Sequence, residues 1–146
     1  MRLTVIGVPV PQGSKTAHPF RRKDGSLGVA VHEGGKAASL KDWRRAIADA
    51  VRDLFDEGGD TMRGPVVLAA TFYLPRPKSA PKRRLFPDSR PDCDKLFRSA
   101  GDALSKVAYE DDSRIVDLFV RKRFANGRPP GVEIELRPAT EADLLS

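Results

Sequence analysis

The residues with the clearest chemical potential are aspartates in two short clusters. Asp92 and Asp94 flank Cys93 in the first cluster, and the second cluster reads Glu110-Asp111-Asp112. In an extended segment, side chains two positions apart point the same way, so we expect Asp92 and Asp94 to converge while Cys93 points away. Carboxylates without a nearby histidine or thiolate are hard oxygen ligands that suit Mg²⁺ or Mn²⁺. The pattern therefore indicates a site for one or two divalent cations that serves phosphodiester hydrolysis.

A structural reading of the same acids competes with the catalytic one. Asp-x-Asp ahead of a helix is often an N-cap at the positive end of the helix dipole, and Asp-Asp in a turn is common. Converging acids, however, repel one another unless a cation is present. The segment 75–91 favours the metal site, because its basic residues can hold a phosphate backbone near the acids and its only acid is Asp88. These basic residues are Arg76, Lys78, Lys82, Arg83, Arg84 and Arg90.

Periodic segments surround the clusters and predict the elements that position them. Leu40, Trp43, Ile47 and Val51 recur at helical spacing, with Ser39 as the N-cap and Gly58-Gly59 as the stop. A second helix is predicted over about 94–107. The predicted strands are 2–8, a nearly continuous apolar run at 65–74, about 113–124, about 131–137, and two short ones at 17–21 and 28–32 around a turn at 22–25.

The main elements follow the order β-α-β-α-β-β, which predicts an α+β fold with a single mixed sheet and two packed helices. We expect one domain over 1–138 and a frayed acidic tail over 139–146. The N-terminus is too quickly interrupted for a signal peptide, no apolar run suits a bilayer, and the single Cys93 excludes an internal disulfide. These observations predict a cytoplasmic protein without a membrane partner.

The net charge points to an anionic partner. Lys and Arg total 26 against 20 Asp and Glu, which gives a formal charge of +6. Nucleic acid is the commonest large anion that such a surface binds. The long segment before the first helix adds a further basic region that includes Lys15.

A longer pattern links the two acidic clusters. It reads Pro91-Asp92-x-Asp94-Lys95-Leu96, then Asp102-Ala103-Leu104, then Tyr109-x-Asp111-Asp112-Ser113-x-Ile115-Val116-Asp117, and finally Lys122. This pattern resembles the RusA family of Holliday-junction resolvases. The resemblance implies a RusA-like fold and a homodimeric, Mg²⁺-dependent endonuclease, with Mn²⁺ as a substitute, that resolves four-way junctions by paired symmetric nicks in recombination and repair. Small enzymes of this type are often encoded by phage or prophage, so the expected setting is a bacterial or phage-infected cell.

The resemblance also assigns roles by position. It implies that Asp92, Asp94 and Asp112 bind the metal, with Asp111 as the adjacent alternative. The position where the family usually has a catalytic lysine is Arg98, which keeps the charge and contacts phosphate well but does not readily release a proton. Whether Arg98 or Lys95 fills that role stays open.

Supporting and DNA-binding residues complete the prediction. Asp102 either supports the site or belongs to an intrahelical ladder with Asp94 and Arg98, and Asp117 needs a basic partner within an apolar strand. Lys122 matches a family lysine and is a candidate DNA contact. The predicted DNA-binding residues are Lys15, Lys78, Lys82, Arg83, Arg84, Arg90, Lys95 and Lys122.

Two other functions remain open at this point. A non-catalytic DNA-binding protein of the same fold would use the acids only for helix capping. A metal-dependent enzyme acting on a small phosphate substrate is the second alternative, although no glycine-rich phosphate loop is present. A dimer matches the two-fold symmetry of a four-way junction, and either the outer sheet edge or the first helix is predicted to form its interface.

Overall fold

The computed structural model describes residues 1–13, 15–33 and 37–146, without the side chains of 15–20, 28–33 and 37–38. The strands are β1 (Arg2–Ile6), β2 (Lys15–Arg21), β3 (Leu27–Glu33), β4 (Val66–Leu74), β5 (Ile115–Phe124) and β6 (Gly131–Pro138). The helices are α1 (Ala37–Asp56) and α2 (Cys93–Leu104), and two short 3-10 turns span Asp112–Arg114 and Glu141–Leu145.

Four strands form one mixed sheet in the order β1-β6-β4-β5, and β2 pairs with β3 in a separate hairpin. β6 runs antiparallel to both β1 and β4, whereas β4 and β5 are parallel. Parallel neighbours need a crossover connection, and here it consists of segment 75–91, α2 and the turn before β5. The crossover therefore carries both acidic clusters to the β5 edge of the sheet.

Both helices cover one face of the sheet and share its core. Alternate residues of β4 point into this core, and Val66, Leu68, Ala70 and Phe72 are all fully buried. The apolar faces of α1 and α2 supply the opposing side. Their buried members are Leu40, Trp43, Ile47, Val51, Leu96, Ala100, Ala103 and Leu104. Burial of this apolar stripe fixes the rotation of α2, and with it the direction of the polar side chains at its start.

The predicted α+β class, the mixed sheet and the two packed helices are confirmed. The predicted hairpin is also present, and its turn closes through a bond from the Arg22 amide to the Ser26 carbonyl. Gly58 follows α1 with a φ of +109°, a conformation that glycine adopts readily, so the predicted stop is correct. Ser39 is not the N-cap, because α1 already begins at Ala37.

The last residues form a defined turn, in contrast to the predicted frayed tail. Arg137 binds the Asp143 carboxylate through two nitrogens at 2.5 and 2.8 Å, and the Thr140 amide donates to the same carboxylate at 2.7 Å. The Ala139 amide also bonds to the Pro65 carbonyl. Pro138 ends β6, as expected, but these contacts hold the chain beyond it. Among the described residues, no helix has the length and apolar composition needed to cross a membrane.

Candidate active site

The first turn of α2 separates two clefts of about 600 Å³ each. Asp92 and Lys95 line the first cleft, together with six prolines, and we call it the proline cleft. Asp94 and Arg98 line the second, which we call the acidic cleft. The prolines of the proline cleft are Pro9, Pro11, Pro75, Pro77, Pro87 and Pro91.

The two aspartates of the first cluster do not face one cleft, which differs from the expectation. Asp92 is the extended residue just before α2, but Asp94 already belongs to the helix, which begins at Cys93. Because successive helical residues are rotated by about 100°, the same-side geometry of an extended segment does not apply. The predicted start of this helix, at about residue 94, is thus one residue too late.

The Asp92 carboxylate does not cap α2, although its position suggests a capping role. It occupies the N-cap of α2, yet its side chain makes no capping hydrogen bond. Within the described residues its one ion pair is a long one, 3.8 Å from an oxygen to Lys95 Nζ, and more than half of the side chain is exposed. A capping role alone therefore does not account for Asp92.

The acidic cleft brings together residues from both ends of the predicted motif. Its carboxylates are Asp94 and Asp102 of α2 and Asp112 of the turn before β5, and most of its other lining residues are apolar. The lining residues are Asp94, Phe97, Arg98, Gly101, Asp102, Asp112, Ile115, Leu118 and Val120. Arg98 Nη2 lies 3.9 Å from an Asp94 oxygen, so this exposed pair is loose enough for both groups to engage a ligand.

Tyr109 connects Asp112 to α2. The tyrosine is fully buried, and its hydroxyl lies 3.1 Å from Asp112 Oδ1 and 3.5 Å from the Gly101 carbonyl oxygen. Burial, followed by the negative charge of Asp112, raises the pKa of Tyr109, so the phenol keeps its proton and can donate a hydrogen bond to the carboxylate. Tyr109 belongs to the motif, but nothing in its spacing predicted this contact.

Asp111 has a different function in the same turn. Its carboxylate accepts a hydrogen bond from the Ser113 amide at 3.0 Å and caps the Asp112–Arg114 turn. Hydrogen bonds from Ser113, the backbone bond being the largest cause, lower the pKa of Asp111. Asp112, in contrast, lines the acidic cleft. Of the two adjacent candidates, the geometry favours Asp112 as the ligand.

Of the two supporting acids, Asp102 has a hydrogen-bond partner on a neighbouring element, whereas the Asp117 side chain makes no hydrogen bond or ion pair within the described part of the chain. Asp102 accepts from Arg44 Nη2 of α1 at 3.1 Å, and Arg44 also donates to Gln12 Oε1 at 2.5 Å. Asp102 thus lines the acidic cleft while it joins α2 to α1. Asp117 is half-buried in β5 and outside the acidic cleft. The pKa of Arg137 is raised mainly by its hydrogen bond to Asp143, and the charge of Asp117 adds a smaller contribution. Arg44 carried no sequence signal, because it lies on the polar side of an amphipathic helix.

The basic segment 75–91 contains two kinds of cation. Lys78, Lys82, Arg83 and Arg90 are exposed and make no hydrogen bond or ion pair within the described part of the chain. Arg76 and Arg84 instead fold the segment. Arg76 donates to the Pro81 and Arg84 carbonyls, and both guanidinium groups lie over the Phe124 ring, with centroid distances of 4.8 and 5.7 Å.

Lys122 of β5 contacts the backbone of the residues just before Asp92. Its ammonium donates to the Ser89 carbonyl at 2.6 Å and to the Pro91 carbonyl at 3.0 Å, and the side chain is half-buried. The lysine of the motif thus fastens β5 to the start of α2. Lys15 begins β2, and its side chain lies outside the described residues.

The donor set suits a hard divalent cation, although the acids are not gathered around one point. Asp92, Asp94 and Asp112 offer only carboxylate oxygens, which Mg²⁺ and Mn²⁺ prefer. Asp94 and Asp112 line the same cleft, and Asp92 lies at the same helix end without a capping bond. Within residues 1–13, 15–33 and 37–146, no three acidic, histidine or cysteine side chains stand at metal-binding spacing.

Comparisons with known proteins agree with the motif. The family model described as endodeoxyribonuclease RusA matches residues 9–137, a range that includes the acidic cleft, the lining of the proline cleft except Val8, and most of the sheet. A protein of Bacillus subtilis (strain 168), described as uncharacterized protein YqaN, is 31% identical over 147 residues, which is 94% of this chain and 95% of the relative. On the extent of the family match, the chain belongs to the RusA endodeoxyribonuclease family.

Proposed function

We propose that this chain is a divalent-metal-dependent endonuclease that cuts branched DNA, and four-way junctions in particular, by paired symmetric phosphodiester hydrolysis in recombination and repair. The observation that carries the proposal is the acidic cleft. Asp94 and Asp112 come from separate segments of the family motif and line one cleft, at the helix that directly follows the basic segment 75–91 in the chain. Family membership supports the endonuclease class.

In this proposal Asp94 and Asp112 hold the cation, with Asp92 as a further ligand at the same helix end. A bound Mg²⁺ supplies Lewis acidity toward a phosphate oxygen and lowers the pKa of an attacking water. Tyr109 keeps the Asp112 carboxylate in place by donating a hydrogen bond to it. Arg98, beside Asp94, presents a positive charge that stabilises the charge developing on the phosphodiester.

The charge of the molecule supports a DNA backbone as the partner. Lys78, Lys82, Arg83 and Arg90 project from the segment that precedes Asp92, and each can neutralise a phosphate without reading a base. Shape then has to provide most of the selectivity. A homodimer would present two such sites with the two-fold symmetry of a four-way junction.

A non-catalytic DNA-binding protein is the second candidate, and one observation favours it. The described acids do not form a group of three at metal-binding spacing. On this alternative, Asp112 only accepts the Tyr109 hydroxyl and the other acids stay with their ion pairs. Both candidates predict junction binding, but only the first predicts cleavage.

The two candidates are separated by a cleavage assay with matched variants. Wild-type protein is incubated with a synthetic four-way junction or a linear duplex in Mg²⁺, Mn²⁺ or EDTA. We expect symmetric nicks in the junction that need the metal, and a loss of at least 100-fold in Asp94→Asn and in Asp112→Asn with binding retained. Asp49→Asn is the control, because Asp49 is exposed on α1 and, in the part of the chain that the structure describes, pairs only with Arg52.

Tight junction binding without nicks in either metal would support the non-catalytic candidate. Cleavage that survives in both Asp94→Asn and Asp112→Asn would show that the acidic cleft is not the catalytic site.

A further inference from the structure

The proline cleft has a composition that its place beside the catalytic residues does not explain. Apart from six prolines, its walls include Val8, Leu74 and Phe124, so most of its surface is apolar. Its volume of about 600 Å³ lies within the roughly 300–1,000 Å³ of pockets that bind small ligands or ligand parts. A DNA backbone needs none of this apolar surface, because phosphates and sugars are bound by cations and polar groups.

One wall of the cleft carries a fixed guanidinium group. Arg84 Nε donates to Asp88 Oδ1 at 2.9 Å and Nη2 donates to Ser89 Oγ at 2.8 Å. The Arg84 bond is also the largest cause of the lowered pKa of Asp88, so this ion pair persists at neutral pH. Packing over the Phe124 ring restrains the same group. A restrained planar guanidinium is a surface on which nucleic-acid bases stack.

The lining of the cleft also carries cations. Arg90 and Lys95 line it together with Arg84, and Asp92 is the one acid among its described lining residues. Lys95 and Asp92 also belong to the helix end that separates this cleft from the acidic cleft. A mostly apolar lining with three cations matches a nucleotide, which combines an apolar base with an anionic phosphate.

We propose that the proline cleft receives one unstacked nucleobase of the DNA strand whose phosphate lies at the first turn of α2. This inference rests on the proposed action of the chain on branched DNA. The base leaves the duplex, enters between the prolines and Arg84, and its phosphates stay with Lys95 and Arg90. The nucleotide is thereby anchored on one side of α2 while the acidic cleft lies on the other.

The same cleft gives a physical reason for selecting branched DNA. Removing a base from a duplex costs a few kcal/mol of stacking and pairing, and the cost is lowest where the base is already poorly stacked. Bases at a branch point have lost part of their stacking, so they enter the cleft more readily than bases within a linear duplex. Selectivity for shape then follows from the cost of unstacking, without any hydrogen bond to a base edge.

The test uses full-length protein and junctions in which 2-aminopurine replaces one base at a time around the branch point, with EDTA present so that cleavage does not interfere. The fluorescence of 2-aminopurine rises when the base unstacks. With wild-type protein at saturation, we expect a severalfold rise at one position and protection of that base from acrylamide quenching. A base that is merely released into solvent would be quenched freely.

Matched variants connect the signal to the cleft. Val8→Glu puts a carboxylate on the lining of the cleft at a residue that is 58% exposed, so the fold should tolerate it. Ile6→Glu is the control, since Ile6 is 71% exposed and lines a different hollow. We expect Val8→Glu to abolish the protected signal and to weaken junction binding about tenfold, and Ile6→Glu to stay within twofold of wild type.

Two results would overturn the inference while leaving the proposed endonuclease intact, provided that the wild type still cuts the junction in Mg²⁺. One is the absence of a protected base at every position tested. The other is equal behaviour of Val8→Glu and Ile6→Glu at saturating protein. A protected base in a protein that never cuts would contradict the proposed function but not the base-binding cleft.

Discussion

At the scale of single residues, the position of the Asp112 carboxylate in the acidic cleft depends on an uncharged side chain, that of Tyr109. Tyr109 is buried beneath Asp112, and its hydroxyl lies within bonding distance of Asp112 and of a carbonyl of α2. A carboxylate that is held by such a donor loses little freedom when it binds a cation. Removing a hydrogen-bond donor that orients a metal-binding carboxylate commonly lowers metal affinity or activity by 10–100-fold. Tyr109 is thus a positioning residue that acts through Asp112.

Tyr109→Phe should raise the Mg²⁺ concentration needed for half-maximal junction cleavage by about tenfold, because the hydroxyl that orients Asp112 is lost. The free energy of unfolding should fall by only about 1 kcal/mol, the usual net value of one hydrogen bond. The measurement is a Mg²⁺ titration of the cleavage rate together with urea unfolding of the same two proteins.

Tyr73→Phe is the matched control for this variant. The Tyr73 hydroxyl donates to Glu133 at 3.2 Å, so it also supports a carboxylate, but neither residue lines the acidic cleft. An unchanged Mg²⁺ requirement in Tyr109→Phe, or an equal shift in Tyr73→Phe, would contradict a positioning function for Tyr109.

At the scale of elements, the start of α2 is placed by a clamp from β5. Lys122 bonds the carbonyls of Ser89 and Pro91, which belong to the segment that ends at Asp92. Sequence comparison with the family suggested a DNA contact at this lysine, whereas the ammonium in the structure satisfies two backbone oxygens. The clamp explains how a proline-rich segment with many cations keeps a fixed path next to the site.

Lys122→Met should loosen segment 75–91, because two carbonyls lose a charged donor. Hydrogen bonds to charged groups contribute about 1.5–3 kcal/mol each, so we expect measurable destabilisation and a severalfold faster trypsin cleavage after Lys78, Lys82 or Arg83. The readout is the rate of limited proteolysis, with the cut sites identified by mass spectrometry.

Arg121→Met is the control, since it removes the same charge from an exposed neighbour on β5. If Lys122 instead contacts a phosphate, Lys122→Met would be cleaved by trypsin at the wild-type rate. Its affinity for the junction would then depend less on salt, with a slope of log affinity against log salt that is smaller in magnitude by about 0.9. That outcome would contradict the clamp.

At the scale of the whole molecule, β5 is an edge strand with an unpaired side. Its exposed apolar residues are Val116, Leu118 and Phe119, which are 56%, 45% and 50% exposed. Among the described residues, α1 contributes no large exposed apolar side chain. If the chain forms the proposed homodimer, we expect the sheet edge rather than α1 to be its interface, because an exposed apolar edge is prone to pair.

Phe119→Glu should convert a dimer into single chains, since a carboxylate on the edge would be buried without a partner. Sedimentation equilibrium should give twice the chain mass for wild type and one chain mass for the variant. Leu27→Glu is the control, because Leu27 is 69% exposed but lies in the hairpin. A wild-type protein of single-chain mass, or a Phe119→Glu dimer, would contradict this interface.

Much of the fold could be predicted because its signals are local. The apolar periodicity of α1 and the continuous apolar run of β4 specify their own secondary structure and buried faces, and Gly58 ends α1 for conformational reasons that need no tertiary contact. The chemical types of the candidate site, two acidic clusters beside a basic segment, could also be read directly from residue order.

Tertiary structure alone decided which side chains meet. The separation of Asp92 from Asp94 depends on where α2 begins: the backbone of Asp92 is extended, with φ −74° and ψ 147°, and the helix starts at the next residue. The contacts of Tyr109, Lys122 and Arg44 join residues on different elements, so no periodicity encodes them. The sequence determined the chemistry available to this protein, and the packing of α2 against β5 determined where each group points.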